Sequence, residues 1–456
     1  MAQKIARKLI SSEVVSISPD SQSLLACTLS QEGRMFKIIR NNCCGLDVHK
    51  TWIYACIGIT DSHSRTDYHE ARFSSFPNDL RRLADWLHIH NCTEVCMESS
   101  GKYWIPVFNA LEQTCQVTLA HPKYTKPQKG NKTDRKDARW ICDLFMCGMI
   151  KPSFIPPPAI RHLRDLVRYR QKLTNMLAGE KNRAQNCLTV SGLKIDDAFS
   201  DVFGKSARSI TEHILAFPGE KFDVTPFVDR RCKTPIDVIQ DAVDGAISPE
   251  QAVKLRECLN HIDELSAHRN RIEKEILEIS RPFSSCLGLI RTVPGLDKDP
   301  MTAVTILSEI GSDMSVFPSA KHLVSWAGCC PRNDRSAKHV KSTRIATAGS
   351  YLKPLLVQVA NALIKSKDHQ EFVERYRRIK SHRGHKKALI AICKMLLTAI
   401  WNILSSGEVY NPAGYLLQTP RPTDEKKTLT QKQALELLRL RGYIITDDSS
   451  PQTVIA

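Results

Sequence analysis

Four carboxylates in three short signatures carry the chemistry of this chain: Asp47 in Gly45-Leu-Asp-Val-His-Lys50, Glu98 in Met97-Glu-Ser-Ser-Gly101, and Asp134 with Asp137 in Lys132-Thr-Asp-Arg-Lys-Asp137. The last two are spaced i, i+3, which puts them on one face of a helix. Hard oxygen ligands of this kind suit Mg²⁺ or Mn²⁺, and two such ions about 4 Å apart clamp the attacking and leaving oxygens of a phosphodiester exchange. Taken singly, the acids also have a plain reading, in which Asp47 ends a strand turn, Asp134 is the N-cap of its helix and Asp137 stands at N3. Their order, strand-Asp, strand-Glu, helix-Asp-x-x-Asp, favours a metal site acting on nucleic acid.

The elements that must position them follow from hydrophobic period. Apolar runs fill Cys43 to Ile59, a helical period covers Asn78 to His90, and a strand covers Glu94 to Glu98. A helix near Trp104 to Gln113, a strand at Gln116 to Ala120 and a helix from Asp134 to Met149 complete the region. This predicts an α/β layer with a mixed sheet, ended by Pro156-Pro157-Pro158. Two long leucine-rich and isoleucine-rich patterns follow, Ile160 to Leu188 and Ala252 to Ile279, and their three, four and seven spacings predict a helical hairpin or coiled coil. The spacing fits packing within the chain and pairing between chains equally. Residues 191 to 249 between them carry no clear period. Val293-Pro-Gly before Met301 to Gly311 fits a helix-hairpin-helix, whose turn amides can hold phosphate, or an ordinary helical turn. Three further helices are expected at Tyr351 to Ile364, His369 to Ile379 and Lys386 to Leu404.

A net charge of +17 and a pI near 9.2 point to a polyanionic partner. Between Lys321 and Lys387 stand 16 Lys and Arg against 4 Asp and Glu, so most of the excess lies in one stretch, including Arg375, Arg377 and Arg378. Lys132, Arg135, Lys136 and Arg139 beside the paired aspartates also suit contacts to a nucleic-acid backbone. Sixteen cysteines scattered through apolar runs of a large chain read as reduced and mostly buried, in a cytoplasmic protein. His88, His90, Cys92 and Cys96 lack the paired spacing of a zinc site. No apolar run approaches the roughly 20 residues needed to span a bilayer, so no membrane partner is expected. The first 34 residues have no sustained period, and a translation start at Met35 fits the run into the first strand.

A second constellation runs from Trp326-Ala-Gly through Arg335-Ser336-Ala-Lys338 to Lys341-Ser342-Thr-Arg344. A hydroxyl bracketed by Arg335, Lys338, Lys341 and Arg344 is placed to approach a phosphate as a nucleophile, because nearby cations lower the cost of its oxyanion. The competing reading makes Ser336 a turn residue in a basic DNA-contacting loop.

These signatures, with Val293-Pro-Gly and Trp326-Ala-Gly-x-x-Pro, resemble in their order those of the DEDD-type transposases of the insertion-sequence one-ten family, relatives of the Piv invertases, over residues 43 to 405. The resemblance implies an α/β RNase H-like (RuvC-like) domain, a helical coiled-coil segment and a mainly α C-terminal transposase domain. Carried onto this chain, it implies catalytic and metal-binding Asp47, Glu98, Asp134 and Asp137, with Ser336 as nucleophile and Ser342 as the alternative. Ser336 is followed by Ala337-Lys338 where the family more often has Gly-Gly or Ala-Gly. Also implied are double-stranded DNA at element ends and target, an element-encoded guide RNA and a homo-oligomer, dimer or tetramer. The expected domains are an extension at 1–42, the catalytic domain at 43–158, the helical segment at 159–285, the transposase domain at 286–420 and a polar tail at 421–456. A junction-resolving nuclease without a covalent intermediate and a non-enzymatic nucleic-acid-binding protein are the alternative functions.

Overall fold

The structure is a computed structural model that describes residues 37–99, 101–125, 133–331, 334–336, 339–342 and 344–412. For residues 123, 124, 334–336 and 339–341 it describes the backbone alone. The expected start at Met35, Lys132, Lys338 and the tail lie outside the described residues. Two compact units divide the chain, one ending at Ile155 and the other beginning at Pro156.

The first unit holds β1 (Asn42–Val48), β2 (Trp52–Thr60), β3 (Thr66–Ser74), α1 (Pro77–Ile89), β4 (Glu94–Glu98), α2 (Trp104–Leu111), β5 (Gln116–Ala120), α3 (Pro122–Thr125) and α4 (Asp134–Met146). The sheet order is β3-β2-β1-β4-β5, with β1, β2 and β3 antiparallel and β4 and β5 parallel to β1. Three antiparallel strands continued by two parallel ones make this an RNase H-like mixed sheet. Alternation along the strands feeds two cores. Leu46, Ile53, Ile57, Val95 and Met97 meet Leu83 and Leu87 of α1 and Leu111 of α2 on one face. Cys43, Cys56 and Cys96 meet Ala138, Ile141, Cys142 and Phe145 of α4 on the other. Each fully buried Leu or Ile contributes about 1.5–3 kcal/mol. Cys92 and Cys96 thus belong to opposite layers, and every described cysteine is a free thiol.

Position 45 explains why α4 lies so close. A Cβ there would fall onto Ala138 O and Cys142 N, so only glycine admits the helix backbone against β1. Cys142 Sγ in turn reaches Cys43 O at 3.4 Å, so helix numbers rise as strand numbers fall and the two elements run antiparallel.

The second unit opens with α5 (Pro158–Val190), followed by α6 (Ile195–Ala198), α7 (Lys205–Ala216), α8 (Ile236–Ala242) and α9 (Pro249–Ile279). Helices α5 and α9 pack on each other within the chain through Leu173, Leu177, Leu188, Leu255, Leu259 and Ile262, which places the leucine stripe in an intramolecular hairpin. The segment that carries no clear period folds as short helices over the same core, contributing Ile195, Ile210, Ile214 and Ile239.

After α10 (Ser284–Thr292), the Val293-Pro-Gly turn buries Val293 and Leu296, and α11 (Pro300–Ile310) starts where the Asp299 carboxylate accepts from Met301 N–H at 2.9 Å. Next come α12 (Ala320–Trp326), the hairpin β6 (Asp334–Ser336) and β7 (His339–Ser342), α13 (Leu352–Leu363), α14 (Gln370–Arg383) and α15 (His385–Ser406). By length and composition the 22-residue α15 is long and apolar enough to cross a bilayer, contrary to the expectation of no such run. Lys394 interrupts the sequence but leaves the mean hydropathy of the helix high. Buried Ala388, Leu389, Ile392, Cys393, Leu396, Ile400 and Ile403 recur every three or four residues, and Trp401 Nε1–H donates to Phe317 O at 3.0 Å, as in the core helix of a helical domain.

Candidate metal centre

The antiparallel seating of α4 on β1 brings the acids together. From Gly45 to Asp47 the strand advances about 6.7 Å, and from Ala138 back to Asp134 the helix advances about 6 Å. Equal steps from one contact point bring Asp134 alongside Asp47. Strand β4 adds Glu98, because the parallel register Leu46↔Met97 sets Glu98 level with Asp47 at the ends of neighbouring strands.

Asp47, Glu98 and Asp137 line one cavity of about 330 Å³ together with His49, Thr125 and Trp140. Ligand atoms of Asp47, His49 and Asp134 all lie within 4.8 Å of one another. His49 Nε2 stands 3.1 Å from Asp47 Oδ2 and 3.5 Å from Asp134 Oδ1. The four acids expected from the sequence therefore gather at one place, and His49 joins them. His49 was legible: it follows Asp47 by two residues, just past the end of β1, and that spacing shares a face in extended chain.

Asp134 is not the helix cap. Thr133 takes that place, its hydroxyl accepting from Lys136 N–H at 3.4 Å, which leaves Asp134 and Asp137 in the first turn, where the helix dipole favours negative charge. Instead Asp134 Oδ2 accepts from the indole N–H of Trp52 at 3.1 Å. Glu98 Oε2 accepts from the hydroxyl of buried Thr125 at 2.8 Å, and Trp140 Nε1–H donates to Thr125 O at 3.1 Å. Trp52 and Thr125 have no place in the acid signatures, and only the folded register reveals them.

Burial pushes the Asp47 carboxyl above the ordinary range, His49 draws it down, and the charges of Asp137 and Asp134 push it up again. Converging acids that raise one another's cost of ionisation form a set that a divalent cation stabilises. The carboxylate oxygens fit Mg²⁺ or Mn²⁺ in donor chemistry.

Two of the neighbouring cations have partners on the sheet. Arg135 pairs with Glu70 of β3, and the Arg139 guanidinium lies 3.8 Å from the centroid of Tyr68, whose hydroxyl donates to Asp143 at 2.6 Å. The two arginines, spaced i, i+4, share one face of the helix and reach residues of β3. Lys136 is exposed.

In the second unit, Ser336 pairs with His339 at the closed end of the β6-β7 hairpin, and Arg335 pairs with Val340 beside a register shift. The side chains of Arg335, Ser336 and Lys341 lie outside the described residues. The Ser342 hydroxyl accepts from Arg344 N–H at 3.2 Å, and Arg344 is exposed. Gly328 and Gly349 sit at the base of this hairpin with φ of +69° and +73°, and a Cβ on Gly349 would strike Ala327 O. Trp-Ala-Gly thus receives the chain returning from the hairpin. On α14, Arg377 and Arg378 are exposed and Arg375 is half-buried.

Comparison with known proteins bears on both units. Residues 44–191 match the DEDD transposase family of IS110 elements, and residues 287–377 match the transposase IS116/IS110/IS902 family. No curated protein matches the chain. Among solved structures, the Fowlpox virus resolvase, in complex with its substrate Holliday junction DNA, is similar at 18% identity over 23% of this chain and 72% of that one, with a TM-score of 0.17. One family's two successive parts match in order, the first across the strands and helix that gather the acids, and the chain accordingly belongs to the IS110 family of transposases, enzymes of DNA recombination.

Proposed function

We propose that this transposase moves an insertion sequence by metal-assisted phosphodiester cleavage and strand exchange, with Asp47, Glu98, Asp134 and Asp137 holding Mg²⁺ (or Mn²⁺) and Ser336 as the nucleophile. The observation that carries the reading is the convergence of acids from β1, β4 and α4 around one cavity. A divalent ion bound there supplies Lewis acidity at a phosphodiester oxygen. Trp52 and Thr125 orient two of the carboxylates, and Ser336 attacks phosphorus: the Oγ–P bond forms, the P–O3′ bond breaks, and a covalent protein-DNA link and a free 3′ hydroxyl result.

Exposed Arg344, Arg377 and Arg378, with Lys136 on the first unit, would bind the DNA backbone, and the described backbone positions of Arg335 and Lys341 support a basic hairpin around the serine. Recognition of element ends and target through an element-encoded guide RNA rests on the family resemblance and on the charge of +17. A homo-oligomer agrees with the outward face of α5, where Tyr169 and Met176, one heptad apart, are 48% and 50% exposed. The cytoplasm, where the element's DNA lies, is the compartment of action.

The test is incubation of the protein with element-end DNA and its flanking RNA, with and without Mg²⁺, followed by denaturing detection of DNA attached to protein. Ser336→Ala should keep metal and nucleic-acid binding and lose the adduct, whereas Asp137→Ala should lose the adduct through weakened metal binding. An adduct that survives Ser336→Ala and disappears in Ser342→Ala moves the nucleophile to Ser342. Strand cleavage without an adduct in both variants makes the chain a water-activating nuclease.

A further inference from the structure

One acid of the site, Asp134, is held by a donor of a particular kind. A carboxylate can be oriented by a cation or by a neutral N–H or O–H, and the two differ in what they leave behind: a guanidinium cancels the negative charge that would bind metal, whereas a neutral donor fixes geometry and leaves the charge in place. Asp134 is held by the neutral kind. The Trp52 indole N–H takes Oδ2 at 3.1 Å, while Oδ1 faces the His49 ring at 3.5 Å, on the side where Asp47 also lies. One oxygen is tied and the other points into the cluster.

The ring itself is immobilised. Trp52 is the first residue of β2, paired with Ser74 of β3, and the turn from β1 is closed by His49 N–H donating to Trp52 O at 2.9 Å. The Arg72 guanidinium stands 4.7 Å from the indole centroid, and the His49 ring centroid lies 5.4 Å from it on an inclined plane. Arg72 therefore spends its contact on the π-face of the indole, an arrangement that stiffens the donor.

We propose that Trp52 is a positioning residue of the metal centre, its indole N–H locking the Asp134 carboxylate in the rotamer that presents Oδ1 to the ion. The inference rests on the reading of the acids as a metal site and adds a residue that the acid signatures omit. Loss of a hydrogen bond to a metal ligand typically lowers metal affinity about 10–100-fold. Trp52→Phe keeps an aromatic ring for Arg72 while removing the N–H together with the second ring, so it should weaken Mn²⁺ binding about tenfold, at the lower end of that range.

The experiment is calorimetric titration of the full chain with Mn²⁺ alone, in a double-mutant cycle of Trp52→Phe and Asp134→Ala. The proposal expects Trp52→Phe to cost about tenfold in the wild-type background and nothing further once Asp134 is gone. Unchanged affinity in Trp52→Phe overturns it, and so does a loss that persists undiminished in the Asp134→Ala background, which would mark a merely structural role. If Trp52→Phe does not fold, benzothienylalanine at position 52 replaces the N–H by sulfur in a ring of the same shape, and the same two comparisons decide. Failure of the underlying reading looks different: Asp134→Ala would then leave wild-type Mn²⁺ binding untouched, or the wild-type chain would bind none, and both ideas fall together.

Discussion

Gly45→Ala tests whether a single missing Cβ controls both the stability of the first unit and the geometry of its acids. The added carbon would stand 2.9 Å from Cys142 Cα and nearer still to Ala138 O and Cys142 N, all of them backbone atoms of α4 that cannot rotate away. Restoring ordinary separations of about 3.5–4.0 Å requires the helix to retreat by roughly 1 Å. Overpacking of this kind costs about 1–3 kcal/mol, and the rigid partners put this case near about 3. For a unit of this size that corresponds to a fall in Tm of about 6–12 °C. The site suffers separately, because Asp134 and Asp137 ride on the displaced helix, and a misplacement of about 1 Å can cost on the order of 10²-fold in rate. Calorimetry should show the transition of the first unit lowered, Mn²⁺ titration should show weakened binding, and strand cleavage should fall about a hundredfold even below the new Tm. A Gly45→Ala protein with unchanged Tm and unchanged Mn²⁺ affinity would refute the argument that close approach of α4 to β1 builds the centre.

Two other glycines should respond in the opposite direction: a Cβ at Gly179 in α5 meets nothing nearer than Arg183 NH1 at 3.9 Å, and one at Gly288 in α10 meets nothing within 4 Å, so each Gly→Ala change should stabilise by about 0.5–1 kcal/mol in urea unfolding. Arg168 makes a bidentate pair with Glu309 at 2.7 and 2.8 Å, and the Glu309 side chain is only 6% exposed. Arg168→Met strands that carboxylate and should cost about 3 kcal/mol, with Arg164, which donates to the carbonyls of Ser308 and Glu309, left as its nearest cation. Arg377→Ala and Arg378→Ala on the exposed face of α14 should each flatten the log-log salt dependence of DNA binding by about 0.9. Unchanged slopes in a filter-binding titration would remove that helix from the nucleic-acid surface.

Most of the sheet was legible because its inner strands are buried on both faces, so β1 and β4 are short apolar runs bounded by turns, and α1 and α4 carry a helical period. β3 was not, for an identifiable reason. It forms one edge of the sheet, and Thr-Asp-Tyr-His-Glu-Ala-Arg-Phe-Ser buries only Phe73, so its alternation is between half-buried and exposed, mostly polar residues. The β6-β7 hairpin was hidden in the same way by its charge. The bilayer-length helix was masked by Lys394, which breaks the run in one dimension but does not lower the average over five turns.

The missed strand also supplies partners for two arginines of α4. Arg135 and Arg139, standing beside a pair of aspartates, read either as neutralising those acids or as phosphate contacts. Once β3 is added outside β2, Glu70 and Tyr68 become those partners, and the arginines clamp α4 to the sheet edge on the side away from the acids. The consequence for the site is electrostatic. Trp52 orients the Asp134 carboxylate and Thr125 that of Glu98, both through neutral donors that leave the charge of these acids in place. Acid types and spacing disclosed which residues converge. Only the three-dimensional register shows which neutral donors hold two of them, and converging carboxylates of this kind are what a divalent ion stabilises.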